Sequence, residues 1–293
     1  MKREQSAIQP AIRIFTCGCG KPDCEMATLD PFREHIAALI HGIFSAGHFG
    51  LIDGCDDTQY PWPGVTFPLQ MAASIEDVFA DPSYIDESDA GLYCGSAWDR
   101  DEEDRHAASE YVAALTIFNF VWMAYEDAIR QSNILAFSRE KLPVRARKHF
   151  AEHASQIDQI PALTYLYRIA RKCCLHAEPI ADEVKAIETK YKLTGASAAA
   201  ELGRVFRNYV VHGSDPIPLD GFPKGWGLAR FYTVSRMILV LIQCLVRLRL
   251  TDAGMPIPLS LMRDEEVEEA GVIFTRLHQK ANLWRRYPSQ QVR

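Results

Sequence analysis

The sequence lacks an export signal, an apolar run of membrane length and an excess of positive charge, and each absence argues against a class of function. The opening MKREQSAIQPAIRIF has no apolar leader core and no small-residue cleavage site, so a cytoplasmic chain is expected. The longest apolar run, MILVLIQCLV from Met237 to Val246, is about half of the ~20 residues that a membrane span needs. It reads as a buried helix, and no membrane partner is expected. Lys and Arg number 32 against 38 Asp and Glu, a net charge of −6. That is the wrong sign for coating nucleic acid by bulk electrostatics, although a locally basic cleft remains compatible with a short RNA. A phosphate-cradling Gly loop, a His-Glu-x-x-His helix and a G-x-S-x-G elbow are also missing.

What is present suits a folded protein. The chain has 293 residues, 48% of them hydrophobic, enough for one large core or two modest ones. Without an export signal, its eight cysteines are expected as reduced thiols or metal ligands, not as a disulfide framework. Cys17, Cys19 and Cys24 crowd a Gly/Pro-rich loop, TCGCGKPDC, of the kind that wraps structural zinc. The spacing is not the usual Cys-x-x-Cys knuckle, and a fourth ligand has to come from Cys55, Cys94, His35, His41 or His48. Reduced, unliganded thiols are the alternative. Cys173, Cys174 and Cys244 read as helix-core cysteines.

The chain changes character near residue 105. Residues 1–104 form an irregular, loop-rich region in which the pattern supports one helix, about Pro31 to Ser45, with Phe32, Ile36, Leu39, Ile40 and Ile43 on one stripe. Residues 81–104, ending in DRDEED, read as a solvated connector. From 105 to 250 the chain reads as consecutive helices, at about 106–131, 143–155, 161–177, 179–192, 197–212 and 228–250. Residues 251–293 add an extension with a last helix at about 264–284, opening on DEEVEE and ending at Arg285 and Arg286. The expected fold is a mainly α helical bundle.

The helix SAAAELGRVFRNYVVHG is the most informative. Leu202, Val205, Phe206 and Tyr209 recur at i, i+3, i+4 and i+7 and mark its buried stripe. The opposite arc holds Arg204, Arg207, Asn208 and Val211, with His212 on its flank. Asn208 and His212 are one turn apart, whereas Arg207 lies about 140° from His212 around the axis. Val211 is apolar on a polar face, a hint that something covers it. Gly213 suits the left-handed position that ends the helix. An Arg that forks phosphate oxygens and a His that shuttles a proton suit a phosphodiester. The plainer alternative is a surface Arg and a His that satisfies the helix terminus.

The stretch Arg207-Asn208-Tyr209-Val210-Val211-His212-Gly213 resembles the signature helix of the HEPN superfamily, all-α domains many of which are metal-independent ribonucleases. Their motif is Arg, four to six residues, then His, often with a polar residue directly after the Arg. Arg100–His106, Arg147–His153 and Arg171–His176 fit the bare pattern too, but only Arg207–His212 combines Asn after Arg with Gly after His. The resemblance covers roughly residues 105–250. Within it FNFVWMAYEDA, carrying Glu126, precedes the motif, and a long apolar helix follows.

The resemblance implies an HEPN-type endoribonuclease in which the RNA 2′-hydroxyl attacks the adjacent phosphate without a metal or other cofactor. His212 would move a proton, Arg207 stabilise phosphate charge, Asn208 orient either group, and Glu126 anchor Arg207. Arg204, Arg168, Arg171 and Lys172, with the basic stretch Arg145 to His149, are candidates for lining an RNA path. A homodimer through the motif helix, a toxin or antiphage-defence role and an antitoxin or regulatory partner are also implied. The alternative reading keeps the fold without catalysis, as a module that binds RNA, a nucleotide or a protein.

Overall fold

The computed structural model describes residues 24–55, 59–76, 78–81, 94–213, 226–260 and 263–280. Within them the protein is mainly helical, as the periodicity predicts. In chain order the helices are α1 (Phe32–His48), α2 (Pro63–Ser74), α3 (Gly95–Gln131), α4 (Leu142–Glu152), α5 (Ala154–Ile157), α6 (Leu163–Leu175), α7 (Glu178–Thr189), α8 (Gly195–Val211), α9 (Trp226–Leu248) and α10 (Ala270–Arg276). Before α10, β1 (Pro256–Ser260) and β2 (Arg263–Glu269) pair antiparallel.

The apolar stretch of α9 is the centre of the molecule. Met237 to Ile242 and Cys244 to Val246 have no exposed surface. A helix that is apolar all round is stable in water only when other elements enclose it. Both α3 and α9 meet the length and composition of a membrane span, but 89% of the α9 window is buried inside the protein. The phenyl groups of Phe118 (α3), Phe206 (α8) and Phe231 (α9) meet at the junction of the three helices. Phe206 lies 5.0 Å from Phe118 and 5.2 Å from Phe231, both edge-on, the arrangement that aromatic quadrupoles favour. The stripe read in α8 is the observed one: Leu202, Val205, Phe206 and Tyr209 are buried.

One continuous hydrophobic core runs from Cys24 to Leu277. The two ends of the described chain meet, with Asp30 N–H donating to His278 O at 3.0 Å and Lys280 N–H to Thr28 O at 2.8 Å. Cys173, Cys174 and Cys244 are buried in helices, as read.

Three expectations are corrected. The loop-rich region contains a second helix, α2, which starts at a proline and packs along α3. The acidic stretch at Asp99 to Asp104 is not a connector but the first turns of the 37-residue α3. Asp99, Arg100, Glu102 and Glu103 are exposed and Asp101 and Asp104 partly so, and helix formation there follows from continuity with the buried half of α3. The expected helix at about 264–284 begins as strand. Arg263 to Glu269 pair with the proline-bearing segment Pro256–Ser260, which cannot be helical where prolines remove donors, and only Ala270–Arg276 turn helical. Gly271 N–H donates to Ala253 O at 2.8 Å, an approach that a side chain at 271 would obstruct. Arg285 and Arg286 lie outside the described residues.

A polar network crosses this core. Gln243 Nε2 donates to Phe274 O at 2.6 Å, Gln243 Oε1 lies 3.2 Å from His35 Nε2, and His278 Nε2 lies 2.7 Å from Pro161 O. Burial holds the pKa of His278 down to about 4. Burial, with the nearby His278 and Arg236, holds His35 well below its ordinary value. The unfolded chain binds these protons near the ordinary value of 6.5, and the folded chain does not. Stability is therefore whole above that value and falls as pH drops toward 4. His278 alone lowers the unfolding free energy by about 2 kcal/mol between pH 7 and pH 5. Urea titrations at the two pH values check this, and an unchanged midpoint contradicts it.

Candidate functional site

α8 begins after Thr194, whose carbonyl accepts from Ser197 Oγ at 2.7 Å, and it ends where the sequence places the break. His212 N–H donates to Asn208 O at 3.0 Å and Gly213 N–H to Val210 O at 3.2 Å. Gly213 adopts φ +67°, the left-handed conformation that glycine takes without steric cost. The helix end thus presents His212 to solvent, and Val211 is 52% exposed beside it.

This end opens onto a cleft of about 680 Å³. α8 lines it with Glu201, Arg204, Arg207 and Asn208, and His212 stands at its edge. α3 contributes Trp122 and Glu126, the start of α4 contributes Lys141 to Val144 and Arg147, and Tyr191 closes the remaining side. The structure therefore gathers Arg204, Arg207, Asn208, His212 and Glu126 of the sequence candidates around one space. Arg207 and His212 reach that space together from a single chain, despite their separation around the axis.

Electrostatics differ along the wall. Glu201, only 2% exposed, accepts from Arg147 Nη1 at 2.9 Å on one oxygen, and from Arg204 Nη2 at 2.7 Å and Nε at 3.1 Å on the other. Desolvating a carboxylate is costly, and two charge-assisted partners offset the cost. The Glu201 hydrogen bond also raises the pKa of Arg204, so its guanidinium stays charged. Arg207 is half-buried and meets Asn208 Oδ1 at 3.5 Å. Glu126 does not anchor it as expected: its carboxylate lies 3.8 Å from Arg130 on the same helix. With Lys141, the lining carries four cations against two carboxylates, a local surplus of two positive charges in a protein of net charge −6.

Other candidates lie elsewhere. Arg168, Arg171 and Lys172, on α6, do not line the cleft. Arg171 is bound to Glu188 at 3.1 Å, and Arg168 sits over the Tyr165 ring at 5.8 Å. Of the basic stretch on α4, Arg147 alone lines it; Arg145 donates to Ser138 O at 2.7 Å, and Lys148 pairs with Glu140. Cys17 and Cys19 lie outside the described residues. Cys24 is buried, its sulfur 3.9 Å from the Tyr165 hydroxyl. Among the described residues, the group whose donor atoms gather closely enough for a metal ion is His149, Glu152 and His153.

Sequence reading missed Glu201 as a member of this site. A signal was present: Glu201, Arg204, Asn208 and His212 fall within about 80° of one another around the helix, one strip along its length. Trp122, in the FNFVWMAYEDA stretch, is a second such residue. It lines the inner wall, with its indole N–H buried and without an acceptor among the described residues. No family model, curated protein or solved structure matches the chain.

Proposed function

We propose that the protein is a metal-independent endoribonuclease of HEPN type, working in the cleft at the end of α8. The observation that carries the reading is the company Arg207 keeps. Its guanidinium shares with Asn208 and His212 a cleft of surplus positive charge, while Arg147 and Arg204 are committed to Glu201. A half-buried Arg with no carboxylate partner among the described residues suits a phosphate, which accepts two parallel N–H bonds in its fork. The first turn of α4 adds the positive end of its dipole to the same space.

In the reaction, the RNA 2′-oxygen bonds to phosphorus as the P–O5′ bond breaks. The proton leaves the 2′-hydroxyl and a proton arrives on the departing 5′-oxygen. His212 carries one of these transfers and Arg207 stabilises the charge that builds on the non-bridging oxygens. The products are 2′,3′-cyclic phosphate and 5′-hydroxyl ends. Exposed Val211 beside the motif suits pairing of two α8 ends, so that a homodimer completes the substrate path.

The test is incubation of the protein with tRNA and mRNA in excess EDTA, with end-group analysis of the products. Cyclic phosphate ends formed in EDTA are expected. Cleavage that stops with EDTA, or leaves 3′-hydroxyl ends, overturns the mechanism. No cleavage of any RNA favours a non-catalytic binding module.

A further inference from the structure

α4 carries a second cluster on a different side from the cleft. Arg147 points to Glu201, and two residues on, about 200° around the helix, begins HFAEH, His149 to His153. We propose that His149, Glu152 and His153 form a binding site for a first-row divalent ion of the zinc class, independent of the cleft.

The geometry has two parts. One donor atom from each residue lies within 4.8 Å of the others. An ion bound at about 2.0–2.2 Å draws its ligand atoms closer than that, a movement within reach of exposed Glu152 and half-buried imidazoles. The i, i+4 spacing brings the two rings together, with centroids 4.3 Å apart and planes tilted by 50°. The second part is the orientation of His153. Its Nδ1 lies 2.9 Å from His149 O, and with its proton on that nitrogen it leaves the Nε2 lone pair available. A metal-binding imidazole characteristically gives its other N–H to a backbone carbonyl in this way, which fixes the tautomer before the ion arrives. Arg249, close to His149, is itself held by Asp53 at 2.5 Å.

Donor chemistry selects the ion. Two imidazoles and one carboxylate suit zinc, cobalt or nickel, whereas magnesium and calcium require oxygen ligands. Three protein ligands leave a position open for water or a ligand atom from a partner.

The test uses the untagged full-length chain, stripped with EDTA, dialysed free of chelator and titrated with zinc and with cobalt. One ion per chain is expected, with a cobalt spectrum of nitrogen and oxygen ligation. His149→Ala and His153→Ala should each weaken binding on the order of 100-fold, and Glu152→Gln less. Circular dichroism in EDTA verifies the fold, and His149→Gln replaces an alanine variant that fails it. Triple replacement of Cys17, Cys19 and Cys24 by Ser should leave the stoichiometry unchanged. Absence of binding at micromolar zinc, full binding in either histidine variant, or a thiolate charge-transfer band that vanishes with the cysteines overturns the site. RNA cleavage in EDTA is a separate readout, so failure of the metal site leaves the ribonuclease reading standing, and the reverse.

Discussion

Replacing His212 by Ala lowers the rate of RNA cleavage by about 100- to 10,000-fold, the range that a positioned general acid or base supplies. Stability changes by no more than about 0.5 kcal/mol, because His212 is exposed beyond the last turn of α8. Arg207→Ala produces a comparable loss of rate. Arg207→Lys does not restore it, because an ammonium cannot reproduce the planar fork that matches two phosphate oxygens. Single-turnover rates on a defined RNA, alongside urea unfolding of each variant, separate the outcomes. Cleavage that survives in both alanine variants removes these residues from the mechanism. A loss of rate matched by a loss of folded protein assigns them a structural role instead. The metal-site variant His149→Ala serves as a control on another side of α4 and retains full cleavage in EDTA.

What could be read in the sequence follows from the range of the forces involved. The α8 stripe, its termination at Gly213 and the burial of α9 are local in origin, set by periodicity and by one residue's conformational freedom, and they were legible. α2 is hidden by Pro61 and Pro63, a residue type that favours turns, and by Pro68 within it. Pro63 opens the helix where its missing N–H costs nothing, and packing along α3 outweighs Pro68. A Cβ at Gly64 would collide with the Asp127 carboxylate, so the close approach of the two helices depends on a residue that looks like a breaker. β2 misleads for the opposite reason: DEEVEE has helix-forming composition, and only pairing with the preceding strand, Val267 with Pro258, Glu268 with Ile257 and Glu269 with Pro256, makes it extended. The candidate site divides along the same line. Arg204, Arg207, Asn208 and His212 share one helix and could be grouped by angle. Glu201 could not be assigned its role, because that role comes from Arg147, 54 residues away on α4.

Glu201→Ala lowers the unfolding free energy by about 3 kcal/mol, the lower part of the range for removing one member of a buried ion pair. The lower part applies because Arg147 and Arg204 keep 22% and 27% of their side-chain surface, so water screens part of the charge left behind. Arg147→Ala and Arg204→Ala each cost less, since Glu201 retains one guanidinium in either variant. The double replacement of Glu201 and Arg147 costs less than the two single costs added, because the residues share one interaction. Urea titrations of the four proteins give the coupling directly, and additive costs within about 0.5 kcal/mol contradict a shared network. The same carboxylate also sets the charge of the cleft. Glu201→Gln leaves one oxygen as an acceptor, turns an NH2 toward the arginine on the other side and removes a negative charge, so stability falls while RNA binding tightens at low salt and its salt dependence steepens, by about one phosphate's worth at most. Stability and RNA affinity should therefore move in opposite directions in this one variant. If both fall together, Glu201 serves the cleft by aiming Arg147 and Arg204 at the substrate, and the loss of that aim outweighs the gain in potential.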